Sequence, residues 1–318
     1  MFGIMDALIR GLHHVTATVA DAQEDVDFYV RLLGQRLVKK TINFDNPGVY
    51  HFYYGDGAGT PGTIMTTFPY KGMGIRTGAN GAGQIETTSF SAPAAALPFW
   101  RKRLADAQVP FREAPTPFGE EALLFDDPSG LHIRIVGAPQ DDREPWTRPD
   151  IAKEHAIRGI HSVALNVRHP AITAELLTEM MDSRVVGEDN GTTRFAMGEA
   201  RPGTIVELTD AGDDPAAVNG LGTVHHVAFA VASAEDQLRM RQELLKLGLG
   251  VTEVLDRQYF TSIYFREPNG VLFEIATLPP GFTVDEPLSS LGAALKLPPW
   301  EEHRRALIES HLPPVEVR

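Results

Sequence analysis

Apolar and polar positions along this chain switch between a period of two and a period near 3.6, and the switch recurs four times. A glycine followed by a β-rich run opens each recurrence: Gly11 in GLHHVTATV, Gly83 in GQIETTSF, Gly159 in GIHSVALNV and Gly222 in GTVHHVAFAV. Next come polar starters with helical apolar spacing, in DAQEDVDFYVRLL, APAAALPFWRKRLADA, HPAITAELLTEMM and SAEDQLRMRQELLKLG. Each recurrence closes on a turn containing Pro and Gly that feeds an apolar strand: PGTIMTTF, PSGLHIRIVG, PGTIVELTD and PNGVLFEIAT. Intervening runs such as VYHFYYGD and TSIYFREP are rich in aromatic and β-branched residues, which suit a pleated, half-buried surface. The pattern predicts four βαβββ modules and an α+β fold.

The charged, Pro-containing stretch QDDREPWTRPDIAKEH interrupts both periods and suggests a boundary between an N-terminal domain over 8–140 and a C-terminal domain over 155–280. Residues 281–318 form a tail with a Pro-rich start and a predicted helix in WEEHRRALIESHL, placed to pack across a domain or seal a pocket. The Gly-rich stretches GDGAGTPG and TGANGAGQ lack the strand-to-helix context of a nucleotide fingerprint and read as loops.

With 318 residues and 43% hydrophobic content the chain can bury a large core. Its net charge of -13 argues against nucleic acid or an anionic membrane surface as a partner, since both are bound through accumulated Lys and Arg. No cysteine is present, so a disulfide framework and a thiolate metal site are excluded, leaving His, Asp and Glu as ligand candidates. The N-terminal MFGIMDALIR is too short in apolar run for an export signal, and no stretch is long enough for a membrane helix, which gives a cytoplasmic expectation.

The modules resemble the vicinal oxygen chelate superfamily, which holds the glyoxalases and extradiol dioxygenases, over nearly the whole chain. GLHHVT, TVHHVAF, DRQYFTSIYFREPNG and LFEIAT are most similar to the ring-cleaving dioxygenases that act on hydroquinones. The resemblance implies that paired modules curl mixed sheets into cups, with metal ligands on the first and last strands of each module. Aligning the four opening strands sets His14, Thr87, Ser162 and His226 at one position. Aligning the closing strands sets Thr66, Arg134, Glu207 and Glu274 at the other. Modules one and four together then offer His14, His226 and Glu274, a two-histidine, one-carboxylate set associated with non-haem iron(II) oxygenases. The cofactor expected is Fe(II), with Mn(II) as the alternative, and the partners are a small aromatic substrate and dioxygen; the product would be a ring-opened acid. Modules two and three offer no such set, and Arg134 is expected to form an ion pair with Glu207 instead.

The same resemblance assigns His13, Thr16, His225, Arg257 and Tyr264 to the pocket or to positions behind the ligands. An imidazole such as His225 could deprotonate a phenol, and Arg257 and Tyr264 could stabilise developing oxyanions. Adjacent side chains on a regular strand point to opposite faces, so both members of the His13–His14 and His225–His226 pairs can approach one site only through a bulge, or with one orienting the other from behind. His51, His132, His155, His161 and His169 are read as surface or core residues, whereas Phe52, Tyr54 and Phe260 are assigned to either pocket or core. Two rival functions are a glyoxalase-type isomerase or lyase, for which Thr66 stands where a second carboxylate is wanted, and a non-catalytic small-molecule binding protein. A catechol-type extradiol enzyme would carry its ligands in the C-terminal half alone. Oligomeric state is left open, a homo-oligomer included.

Overall fold

The computed structural model describes residues 8–317; the start of the N-terminal segment read above for an export signal lies outside them. Sixteen strands and the helices between them follow the βαβββ order four times. Module one comprises β1 (Ile9–Val19), α1 (Ala22–Val26), β2 (Arg36–Asn43), β3 (Asn46–Gly55) and β4 (Ile64–Pro69). Module two comprises β5 (Gln84–Pro93), α2 (Leu97–Asp106), β6 (Phe111–Glu113), β7 (Ala122–Asp126) and β8 (His132–Ala138). Module three runs through β9 (Gly159–Val167), α3 (Pro170–Glu179), β10 (Ser183–Asp189), β11 (Thr192–Met197) and β12 (Ile205–Asp210). Module four runs through β13 (Thr223–Val231), α4 (Ala234–Lys246), β14 (Leu255–Asp256), β15 (Thr261–Arg266) and β16 (Leu272–Thr277).

The strands form two curved, mixed, eight-stranded sheets, ordered β14-β15-β16-β13-β1-β4-β3-β2 and β10-β11-β12-β9-β5-β8-β7-β6. Each sheet takes one module from each half of the chain: β1 pairs antiparallel with β13, and β5 pairs antiparallel with β9. The linkers between modules one and two and between three and four also meet, through bridges at Thr77 with Leu221, Ala79 with Val218 and Ala82 with Ala216. Their glycines are required by close approach, because a Cβ at Gly81 would lie 2.3 Å from the Pro215 carbonyl and one at Gly220 2.3 Å from that of Arg76.

Alternation along the strands sorts side chains to two faces. Val15, Ala17, Phe52, Tyr54, Met65, Val227, Phe229, Phe273 and Ile275 join the main core under the helices. Burial of that apolar surface, worth roughly 25 cal/mol per Å², is what holds each helix against its sheet. The segment predicted as helix from Asp21 begins with Asp21 capping the N–H groups of Gln23 and Glu24, then widens over Asp27–Leu32, with the Leu33 N–H reaching the Phe28 carbonyl. There Tyr29 stacks on Tyr54, whose hydroxyl donates to the buried Asp25 at 2.6 Å.

The tail covers the outer edge of the first sheet. The Lys296 N–H donates to the Lys40 carbonyl of β2, and Phe282 and Leu291 complete a small apolar cluster with Val38, Tyr53, Tyr259 and Phe260 inside the cup. Lys39, fully buried, is held by Asp285 at 2.7 Å and Glu286 at 2.5 Å. The predicted tail helix is α5 (Arg305–His311). Among the described residues no helix is long and apolar enough to cross a membrane.

Candidate metal centre

The register of opening against closing strand is the same in every module: Thr16 faces Thr66, Ser89 faces Arg134, Ala164 faces Glu207 and Ala228 faces Glu274. In each case the closing-strand residue lies two positions past the aligned opening-strand residue, so the fourfold alignment of the sequence is a true superposition of positions. In the first sheet this brings His14, His226 and Glu274 together from β1, β13 and β16, all buried.

The ligating atoms converge closely. Glu274 Oε2 lies 2.8 Å from His226 Nε2 and 3.2 Å from His14 Nε2, and the two imidazole nitrogens are 3.3 Å apart. Despite these distances Glu274 Oε2 accepts no well-directed hydrogen bond. The two imidazole nitrogens are within hydrogen-bond reach of each other, while the oxygen is left without a directed partner, so three donor atoms crowd one buried point. Ligands about 2.1 Å from an octahedral ion and on one face of it are about 3 Å apart, so this donor set fits a divalent cation. Burial would raise the Glu274 carboxyl, but attraction from His14 and His226 outweighs it and holds the group well below the usual carboxylate range. The other oxygen, Oε1, accepts a short hydrogen bond from Ser262.

The paired histidines sit on bulges. In the β1–β13 ladder Leu12 faces Phe229 and His14 faces Ala228, leaving His13 as an extra residue; Thr16 faces His226 and Ala17 faces Val224, leaving His225 extra. Both members of each pair can thus turn to the same side, with His13 Nδ1 2.9 Å from His14 Nδ1 and His225 Nδ1 2.7 Å from His226 Nδ1. For His14 and His226 to present Nε2 lone pairs, each must donate from Nδ1, so His13 and His225 accept there and carry their own protons on Nε2. The second sheet repeats the bulges at Glu86 and His161.

His13 is buried against Phe260, and that burial with the neighbouring His14 lowers its pKa to about 3. His226 is lowered chiefly by burial. His225 is lowered too, by crowding of its ring and by His226, yet more than a third of its surface is open. Accessible surface is the better guide to its contact with solvent: its outer side faces a polar pocket of about 170 Å³ lined by Gln84, Asn219 and Arg266. Tyr264 lies edge-on to His226 with ring centres 5.6 Å apart and accepts from Arg257 Nε at 3.2 Å. Burial and then Glu274 raise the Tyr264 phenol above its ordinary value. Arg257 is also paired with Asp45 at 3.1 Å, across the cup from the tip of the β2–β3 hairpin.

Sequence reading placed His51 outside the site, and the structure corrects it. His51 and Tyr53 alternate on β3 so that both face the cup, while Phe52 and Tyr54 between and after them face the core. His51 Nε2 is 2.8 Å from Thr66 Oγ1, and Thr66 Oγ1 is 2.8 Å from Thr16 Oγ1. The period-two pattern of YHFYY held this information, since Thr66 at the ligand-equivalent position fixes which face of β4, and hence of β3, is inward. Phe260 belongs to the cup, 5.3 Å from the His14 ring. His132 is a surface partner of Asp126, His155 stacks on Phe99, His169 precedes α3, and His161 is buried in the second sheet.

In that second cup the aligned positions carry no metal set. Arg134 pairs with Glu207 at 3.2 Å as expected, and Arg194, at the position of Tyr264, binds Glu207 at 2.6 Å and Glu120 at 2.6 Å. Two guanidinium groups thus take the place of a cation.

The profile of the Glyoxalase/Bleomycin resistance protein/Dioxygenase superfamily matches residues 11–135 and 159–275. MhqE of Bacillus subtilis (strain 168), described as a candidate ring-cleaving dioxygenase, is 45% identical over 96% of this chain and 98% of its own. The chlorohydroquinone/hydroquinone 1,2-dioxygenase of Sphingobium indicum is 38% identical over 92% of this chain and 93% of its own. A crystal structure of a candidate dioxygenase from Bacillus subtilis superimposes with a TM-score of 0.93 at 42% identity, covering 98% of this chain and 99% of that one. Glyoxalase I from Zea mays shares the fold at a TM-score of 0.65 and 13% identity over 84% of this chain and 92% of that one.

Proposed function

Because the chain belongs to the Glyoxalase/Bleomycin resistance protein/Dioxygenase superfamily, we propose that it is a mononuclear iron(II) dioxygenase that opens the ring of a hydroquinone-type phenol, with His14, His226 and Glu274 as the metal ligands. The observation that carries the reading is the buried, undirected Glu274 Oε2 at 2.8 and 3.2 Å from two imidazole nitrogens. Iron(II) held there would supply open positions for a substrate oxygen and dioxygen and a route for electrons between them. The similarity to a chlorohydroquinone/hydroquinone 1,2-dioxygenase supports the substrate class.

The chain's own residues do the rest of the work. Ser262 holds Glu274 by one oxygen and leaves the other for the metal, while His13 and His225 fix the tautomers of the two imidazole ligands. Arg257 keeps the Tyr264 phenol beside His226, where its O–H can donate to an oxyanion developing on the substrate. His225, whose Nδ1 lone pair is taken up by His226, turns its open side to the polar pocket and holds that ligand in place. Phe260 and Phe68 give the ring an apolar place between these groups. A cytoplasmic setting with a small aromatic substrate and dioxygen as partners completes the reading. Manganese(II) suits the same donors, and reconstitution with each metal in turn distinguishes them.

A glyoxalase-type isomerase wants a second carboxylate at the place of Thr66, whose hydroxyl is instead bonded to Thr16 and His51. Turnover of a hydroquinone under isotopically labelled dioxygen tests the choice. Both labelled atoms should appear in one ring-opened acid; conversion without label in the product would exclude a dioxygenase.

A further inference from the structure

Thr66, His51 and Tyr53 line the wall of the cup opposite Tyr264 and Arg257, and no role has been given to them so far. With Thr16 they form an unbroken hydrogen-bonded chain: Thr16 Oγ1 to Thr66 Oγ1 at 2.8 Å, Thr66 Oγ1 to His51 Nε2 at 2.8 Å, and His51 Nδ1 to the Tyr53 hydroxyl at 3.0 Å. Such a chain has two directions, because each hydroxyl gives one proton and a neutral imidazole carries one N–H. Burial keeps the His51 ring neutral.

The surroundings of Tyr53 choose between the directions. Its ring is 1% exposed and enclosed by Tyr259, Phe260 and Phe282, with ring centres 6.0, 6.4 and 5.0 Å away. Among the described residues the Tyr53 hydroxyl has His51 as its hydrogen-bond partner. Were His51 to donate to it, the buried phenol proton would have no acceptor among the described residues, whereas the reverse direction leaves the free proton on Thr16, across the ladder from His226, where a substrate oxygen can take it. Tyr53 therefore donates to Nδ1, His51 donates from Nε2 to Thr66, and Thr66 donates to Thr16. The proton of Thr16 is left over. Thr16 is fully buried and sits opposite His226 in the ladder, so that proton points into the cup beside the metal ligands.

We propose that His51 is a positioning residue which, through Thr66 and backed by Tyr53, fixes Thr16 as a hydrogen-bond donor to an anionic phenolate oxygen of the substrate. The proposal rests on the dioxygenase reading for the substrate class, but its geometry is independent of turnover. A donor of set direction favours an oxygen that has already lost its proton over a neutral phenol, which is a donor itself.

The test is anaerobic binding of methylhydroquinone to the iron(II)-loaded full chain, followed by ultraviolet difference spectra across pH, with steady-state kinetics alongside. His51→Leu and Thr66→Val should each retain iron and weaken phenolate binding about tenfold, the loss of one charge-assisted hydrogen bond. His51→Gln, which keeps a donor toward Thr66, should recover most of the affinity. The double variant His51→Leu with Thr66→Val should be no weaker than either single one, because both cut the same chain. Iron-loaded His51→Leu that binds the phenolate as tightly as the unchanged protein would overturn the proposal, as would losses that add in the double variant. Failure of the unchanged protein to consume dioxygen while these binding differences persist would instead count against the dioxygenase reading alone.

Discussion

At the residue scale the sharpest feature is a set of buried groups whose protonation the fold dictates. Asp25 lies fully under the first sheet, and burial raises its pKa to about 8 despite hydrogen bonds from Thr67 and Tyr54. A carboxyl raised in this way contributes stability that is complete below its unfolded value, near 3.8, and is lost as pH climbs through its folded value near 8. The buried histidines act in the opposite sense, an effect that fades only a unit or more above their ordinary 6.5, and Asp127, raised to about 6, adds to the loss below pH 7. Asp25 itself should therefore remove stability at about 1 kcal/mol per pH unit between pH 6.5 and 8 in the metal-free protein, set against the fading contribution of the histidines. Asp25→Asn should flatten that slope in urea melts; an unchanged slope would show that Asp25 is not its source. Among the ligands, Ser262→Ala leaves Glu274 Oε1 without its donor and should weaken iron binding about tenfold, measured by competition with a chelator.

The element scale shows how much could be read from sequence and where that reading stops. Module count and helix placement followed from repeated glycines and period switches, because those patterns repeat four times and check one another, whereas the grouping of His14 with His226 and Glu274 came from the family resemblance laid over the aligned strands. Bulges at His13 and His225 were posed by the adjacent histidines but not located by them, since register depends on the partner strand. His51 was missed because a single histidine in an aromatic strand carries no face label until the register of β3 against β4 is known. The widening after α1 and the tail's grip on Lys39 left no local signal in the sequence, because both are set by tertiary contacts. That grip has an energetic consequence. Removing the cation from a buried ion pair leaves its carboxylate uncompensated, so Lys39→Met, which strands the buried Glu286, should destabilise the protein by about 3 kcal/mol in urea melts, while the exposed pair Lys102–Asp106 should contribute under about 0.5. Equal effects at the two places would refute the tail's anchoring role.

At the scale of the whole molecule, both sheets cross the midpoint of the chain, and among the described residues only one of the two cups carries a group that could hold a metal ion. The other is closed by Arg134, Arg194, Glu120 and Glu207, so the chain should bind one metal ion rather than two. The candidate ligands, at residue 14 and at residues 226 and 274, lie in different halves of the chain, and on the proposed reading a fragment ending near residue 150 or beginning there should bind iron poorly while the mixture regains it. Tight binding by either fragment alone would contradict the shared cup.

The central claim is that three residues from distant parts of the sequence hold an iron that opens aromatic rings. Dioxygen uptake by the anaerobically iron(II)-loaded protein, started by adding methylhydroquinone and repeated with His226→Ala, tests it most directly. The account predicts one dioxygen consumed for each hydroquinone lost, and no uptake in the variant, which should also lose its iron. Uptake that survives in His226→Ala, or none from fully iron-loaded protein with hydroquinone, methylhydroquinone or catechol, would contradict it.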